Sequence, residues 1–145
     1  MILTVISFKG GVGKSVVSQN IAIWLVHNGK DVCILDADPN TNTSKWREQR
    51  PDELPNVDVY PLGKMDVVKM INSLESKYDY VIVDCPPAIE QTTTRAVMKS
   101  DMSLIPVPTT GGGVLWATED FLDHLNLLRA KLDVQLPSYI LANLH

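Results

Sequence analysis

The sequence predicts an α/β protein: a doubly wound, mostly parallel sheet with helices on both faces. Three observations carry that prediction. Short apolar runs, at Ile2 to Ile6, Val32 to Leu35, Tyr80 to Val83 and Met102 to Val107, alternate with stretches whose apolar residues recur at helical spacing. Runs that are apolar at every position suit parallel strands covered on both faces. The runs also end in polar chemistry, the first in a glycine-rich turn and the next two in Asp36 and Asp84. Strand carboxyl ends are where open α/β sheets gather their ligands.

The 145 residues, 45% hydrophobic and 21% charged, suffice for one globular domain over residues 1–145 with a sizeable core. A net charge of −4 gives no general support for nucleic-acid binding, which would need a local basic patch. Lys64, Lys69 and Lys77, read as spread along one helix among acids, do not make one. The two cysteines, Cys33 and Cys85, stand far apart without metal-ligand spacing and read as small buried residues. His27, His124 and His145 have no partners at catalytic spacing and read as solvated. The apolar runs are too short to span a membrane, and the start does not read as a signal peptide, so a reducing cytoplasm is expected.

Taken in order, Ile2 to Ile6 is a buried strand, and Gly10, Gly11 and Gly13 force a tight turn before Lys14-Ser15 open a helix. Such a turn directs backbone N–H groups at an anion, and the helix adds the positive end of its dipole. Lys14 would reach the β- and γ-phosphates of a nucleotide and the Ser15 hydroxyl would hold Mg²⁺. The strict phosphate-loop pattern fails at its first glycine, where Phe8 stands, and the dinucleotide fingerprint fails at Val16, which disfavours NAD. Val16, Val17, Ile21, Trp24, Leu25 and Asn28 trace one face of the helix, which Asn28-Gly29-Lys30 stop. Val32 to Leu35 then lead into Asp36-Ala37-Asp38-Pro39-Asn40. Two carboxylates this close to a phosphate loop suit Mg²⁺ hydration and positioning of an attacking water.

Arg47 to Asn56 reads as a helix end and surface loop, Val57 to Tyr60 as a short strand, and Val67, Met70, Ile71 and Leu74 as a helix. Tyr80 to Val83 ends in Asp84, the acid that P-loop enzymes place behind their Mg²⁺. Thr92, Thr93 and Thr94 offer N-caps for a helix through Met98, followed by the strand Met102 to Val107. The three glycines Gly111 to Gly113 read as a flexible loop or as a close backbone approach. Leu115, Thr118, Leu122, Leu125, Leu128 and Leu132 trace a long helix, with Trp116 open to a dimer contact, and Tyr139 to Ala142 reads as a last strand.

The run Lys9-Gly10-Gly11-Val12-Gly13-Lys14-Ser15, with a second lysine before the glycines, resembles the deviant P-loop of ParA/MinD ATPases, particularly the small partition ATPases. Asp36 to Asn40 resembles that family's second motif, with Asn40 in place of glutamine, and Asp84-Cys85-Pro86-Pro87 resembles its Walker B sequence and the switch loop after it. Pro108 to Gly113 departs from the proline- and acid-containing connection of relatives. The resemblance implies a P-loop fold and an ATPase that takes ATP, ADP and Mg²⁺. Lys9 to Val16 would contact nucleotide, with Lys9 reaching across a sandwich homodimer. Asp38 would position water while Ser15, Asp36 and Asp84 serve the metal, although the roles of Asp36 and Asp38 are interchangeable at this level. Asn143 falls where related enzymes recognise the base. Implied partners are a second copy, a centromere- or cargo-binding activator and non-specific DNA, with no membrane, in a bacterial cytoplasm and at its nucleoid. Family members normally continue for several elements beyond His145. Two other functions fit the same residues: a nucleotide-binding module that hydrolyses nothing unless a partner completes it, and a small-molecule ligase or kinase such as a dethiobiotin synthetase relative.

Overall fold

Each apolar run forms a strand, and the strands make one sheet whose pairs all run parallel. In the computed structural model, which describes residues 1–87, 90–109, 114–132 and 137–143, the elements are β1 (Ile2–Ser7), α1 (Lys14–His27), β2 (Val32–Asp36), α2 (Asn42–Glu48), β3 (Asp58–Pro61), α3 (Val67–Glu75), β4 (Tyr80–Pro87), α4 (Gln91–Lys99), β5 (Met102–Pro108), α5 (Val114–Leu132) and β6 (Ser138–Asn143). The strand order is β3-β2-β4-β1-β5-β6. β1 therefore sits between β4 and β5, and the loop that follows it leaves from the middle of the sheet.

Strand periodicity sorts the core into two layers. On one face Leu3 and Val5 of β1, Val32 and Ile34 of β2 and Ile82 of β4 pack against Val17, Ala22 and Leu25 of α1. On the other, Ile6, Leu35, Val81 and Val83 pack with Ile71 of α3, Val97 of α4 and Phe121 and Leu125 of α5. Asp36 and Asp84 fall on the same parity as Ile34 and Ile82, which assigns both acids to the α1 side. They are also register partners on adjacent strands.

The helix stops obey local chemistry. Gly29 (φ 71°) takes the left-handed position after α1, and the Lys30 amide returns to the Leu25 carbonyl at 3.1 Å. Asp66 caps α3 by accepting from the Lys69 amide at 3.0 Å and pairs with Arg95 of α4 at 2.6 Å.

Several expectations need correction. Val16 and Trp24 are exposed, because α1 is apolar around much of its circumference and only the Val17, Ala22 and Leu25 side meets the sheet. Strand β3 begins at Asp58, one residue late. Strand β4 continues through Pro87, so both prolines lie in the strand and not in the loop after it. Helix α4 starts at Gln91 with Glu90 as its cap residue, and Thr93 is buried within it rather than capping it. Only Lys69 of the three lysines is helical, since α3 spans Val67–Glu75. On α5 Phe121 joins Thr118 and Leu125 in the buried stripe. Cys33 and Cys85 are buried as expected, burial raising the Cys33 thiol to about 12 and Cys85 further, and His27 and His124 are exposed. Gly111 to Gly113, His145 and the side chains of Leu115, Trp116, Leu128 and Leu132 lie outside the described residues.

Candidate nucleotide site

The loop after β1 is held from both ends. The Ser7 hydroxyl donates to the Lys9 carbonyl at 2.8 Å, and the Val17 amide closes the first turn of α1 on the Gly13 carbonyl at 2.9 Å. Gly11 (φ 78°) and Gly13 (φ 86°) both take the left-handed conformation that side chains disfavour. At Gly13 there is a second constraint, because a Cβ there would run into the Asn143 amide group.

The loop walls an open cavity of about 480 Å³. Gly10, Gly11, Gly13, Lys14, Ser15 and Val16 line it from the loop and the start of α1, and Asp38, Asn40 and Asn42 from the turn after β2 and the start of α2. Lys14 is only 6% exposed although charged, a placement that requires an anionic environment to be favourable. Asp38 is held in an Asx turn, accepting from the Asn40 amide at 2.9 Å. The residue after Asn40, Thr41, takes a left-handed conformation (φ 52°), uncommon for a threonine.

Behind the loop lie the two acids. Asp36 is 1% and Asp84 0% exposed. The Oδ2 of Asp84 accepts from the Thr43 hydroxyl at 2.7 Å, and the Oδ2 of Asp36 accepts from both the amide and the hydroxyl of Ser44 at 2.8 Å. The Oδ1 of each is buried without a hydrogen-bond partner. Burial pushes the Asp84 carboxyl up to about 6, and neighbouring Asp36 adds to that, while the Thr43 hydrogen bond, the nearby Ser15 hydroxyl and the Lys14 charge oppose it.

This donor set fits Mg²⁺. A hydroxyl and two buried carboxylates with oxygen valence to spare are hard ligands, and no cluster of His, Cys, Asp and Glu able to cage a metal occurs among the described residues. Mg²⁺ usually keeps several waters and takes one or two carboxylates plus substrate phosphates, so a cage is not required.

The sequence-predicted residues thus divide. Gly10, Gly11, Gly13, Lys14, Ser15, Val16 and Asp38 share the cavity, with Asp36 and Asp84 recessed behind it. Lys9 is exposed and does not line this cavity. Val12 is buried, and its carbonyl accepts from the Asn143 amide at 2.9 Å, which joins the end of β6 to the loop. Gln19, Thr43 and Ser44 went unread; for Gln19 the signal was present, since it lies one turn beyond Ser15 on α1.

The model of the CobQ/CobB/MinD/ParA nucleotide-binding domain family matches residues 3–105, from β1 into β5. The chain belongs to that family. Among relatives in the CobQ/CobB/MinD/ParA family, the maintenance of carboxysome distribution protein A of Halothiobacillus neapolitanus is 31% identical over 97% of this chain and 65% of its own length. The sporulation initiation inhibitor protein Soj of Bacillus subtilis is 28% identical over 88% of this chain and 64% of its own. The chain thus spans somewhat under two thirds of these relatives. A plasmid partition protein of Borrelia burgdorferi bound to AMPPNP shares the fold with a TM-score of 0.73 at 22% identity, covering 96% of this chain and 73% of that one. The cobyrinic acid a,c-diamide synthase of Mycobacterium smegmatis, with bound ATP analogue and magnesium, does so at 0.78 and 20%, covering 97% and 71%.

Proposed function

We propose that residues 1–145 form an ATPase domain of the ParA-like branch, which binds ATP with Mg²⁺, dimerises around it and hydrolyses it to position DNA or another cargo. The observation that carries this reading is the buried, register-paired Asp36 and Asp84, each with an unpartnered oxygen, directly behind the Lys14-Ser15 cradle.

In this reading the loop amides and the start of α1 hold the β- and γ-phosphates, and Lys14 neutralises them inside a low-dielectric wall. Ser15, Asp36 and Asp84 would hold Mg²⁺ directly or through water, and the ion would supply neutralisation of the charge on the β- and γ-phosphates. Asp38, in the same cavity lining, orients the attacking water toward the γ-phosphorus. The bond from that phosphorus to the β–γ bridging oxygen breaks, giving ADP and phosphate. Lys9, outside its own cavity lining, is free to enter the site of a second copy and stabilise charge developing in transfer. Asn143, whose side-chain amide holds the Val12 carbonyl, would recognise the base. Turnover then times dissociation of the dimer, with a centromere- or cargo-binding protein as accelerator and DNA as track, in the bacterial cytoplasm.

A second reading is a ligase that uses the same phosphate chemistry, supported by the likeness in fold to the cobyrinic acid synthase. The two separate on Lys9, which a ligase of this fold does not need in trans.

Calorimetry and phosphate release on wild type and Asp38→Ala test the proposal. Wild type should bind ATP with Mg²⁺ and release phosphate slowly. The variant should bind within about three-fold of wild type and release phosphate about 100-fold more slowly. Wild-type turnover in the variant would remove Asp38 from the mechanism.

A further inference from the structure

The first turn of α2 holds both acids through consecutive residues. Thr43 is completely buried and donates to the Asp84 Oδ2 at 2.7 Å, while itself accepting from the Gln19 side chain at 3.2 Å. Gln19 lines the cavity. The next residue, Ser44, gives both its amide and its hydroxyl to the Asp36 Oδ2. One oxygen of each carboxylate is thus fixed by α2, and the other is left buried and free. A carboxylate held at one oxygen cannot rotate its second oxygen away without losing that bond, so the Thr43-Ser44 pair sets where both free oxygens stand.

We infer that Thr43 and Ser44 are positioning residues that orient Asp84 and Asp36 toward the metal, and that the chain Gln19–Thr43–Asp84 links the cavity wall to that metal position. The inference rests on the nucleotide-binding reading. Its physical basis is that partners of metal-directed groups fix their orientation, and removing one weakens metal affinity about 10- to 100-fold. Burial raises the cost of the loss, because the Asp84 Oδ2 would then be unpartnered at a fully buried carboxylate.

The test measures ADP affinity by calorimetry in EDTA and across a Mg²⁺ titration, for wild type, Thr43→Val, Thr43→Ser and Ser44→Ala. Thr43→Val keeps the shape of the side chain and removes its hydroxyl. Its ADP affinity in EDTA should match wild type, while the Mg²⁺ concentration for half-maximal enhancement rises about ten-fold or more. Thr43→Ser should restore it to within about two-fold, which a purely packing role would not do. Should Thr43→Val fail to fold, Ser44→Ala at a half-buried position carries the test, with a rise of the same sign. Wild type with Mg²⁺-dependent ADP binding and variants that show the same Mg²⁺ dependence would overturn this inference alone. Wild type that binds no ADP in either condition would overturn the nucleotide reading and the inference with it.

Discussion

Strands β2 and β6 are both apolar runs in one sheet, yet they live in different surroundings. Every residue of β2 is buried, and the strand ends in an acid of the site. β6, at the sheet edge, leaves Tyr139 55%, Ile140 56% and Leu141 39% exposed, and its last residue, Asn143, reaches the phosphate loop. The difference teaches that an apolar run reports strand-forming tendency, whereas burial comes from what the crossovers lay over it. α1 covers β2 on one face and the α3 side covers it on the other. The site inherits rigidity from that covered region, since both acids are residues of buried, paired strands, Asp36 ending β2 and Asp84 lying within β4.

Substitutions sharpen the contrast. Ile34→Ala, at a fully buried β2 position, should cost about 2–5 kcal/mol in chemical unfolding. Ile140→Ala on β6 should stay within about 0.5 kcal/mol, and equal costs would erase the distinction. Lys14→Ala should weaken ATP binding at least ~100-fold, about 3 kcal/mol, because the buried cation is removed from its anion. Asn143→Ala, at the β6 end, should weaken it far less; calorimetry orders the two.

Asp84→Asn probes the buried acid without ligand. The folded carboxyl titrates near 6 against an ordinary 3.8, so ionisation opposes folding. Its favourable contribution is fully present below 3.8 and is lost as pH rises through about 6. Relative to Asp84→Asn, nucleotide-free wild type should therefore lose up to ~3 kcal/mol between about pH 4 and pH 7. Parallel pH profiles of the two proteins in urea would contradict it. A last pair of substitutions probes the junction of the two regions. Gly13→Ala should destabilise by about 1–2 kcal/mol from its positive φ, plus the collision with Asn143. Adding Asn143→Ala should relieve the collision and leave the φ cost, a non-additivity that unfolding of the double variant reads.

Much of this was legible in the sequence. The central strands announce themselves because residues covered on both faces are mostly apolar, the buried Thr4 and Ser103 hydroxyls bonding each other, and Lys14-Ser15 after a glycine turn admits few other uses. The misses have physical causes. The outward face of α1 carries Val16 and Trp24, so apolar spacing alone could not tell the covered side. Pro86 and Pro87 looked like loop residues, yet both fit the end of β4 beside a break in the β1 register. Thr43 and Ser44 were invisible as partners of Asp84 and Asp36, since a hydroxyl's partner some forty or eight residues away is set by tertiary placement and leaves no periodic trace.

In the proposed function the cradle and its paired acids make a nucleotide-dependent switch. Its most direct test is the solution mass of the chain without nucleotide, with ADP and Mg²⁺, and with ATP and Mg²⁺, phosphate release being followed in the same samples. A switch of this kind is a monomer that doubles in mass only with ATP and Mg²⁺ and reverts as phosphate appears. A mass indifferent to nucleotide, with no phosphate released, would contradict it.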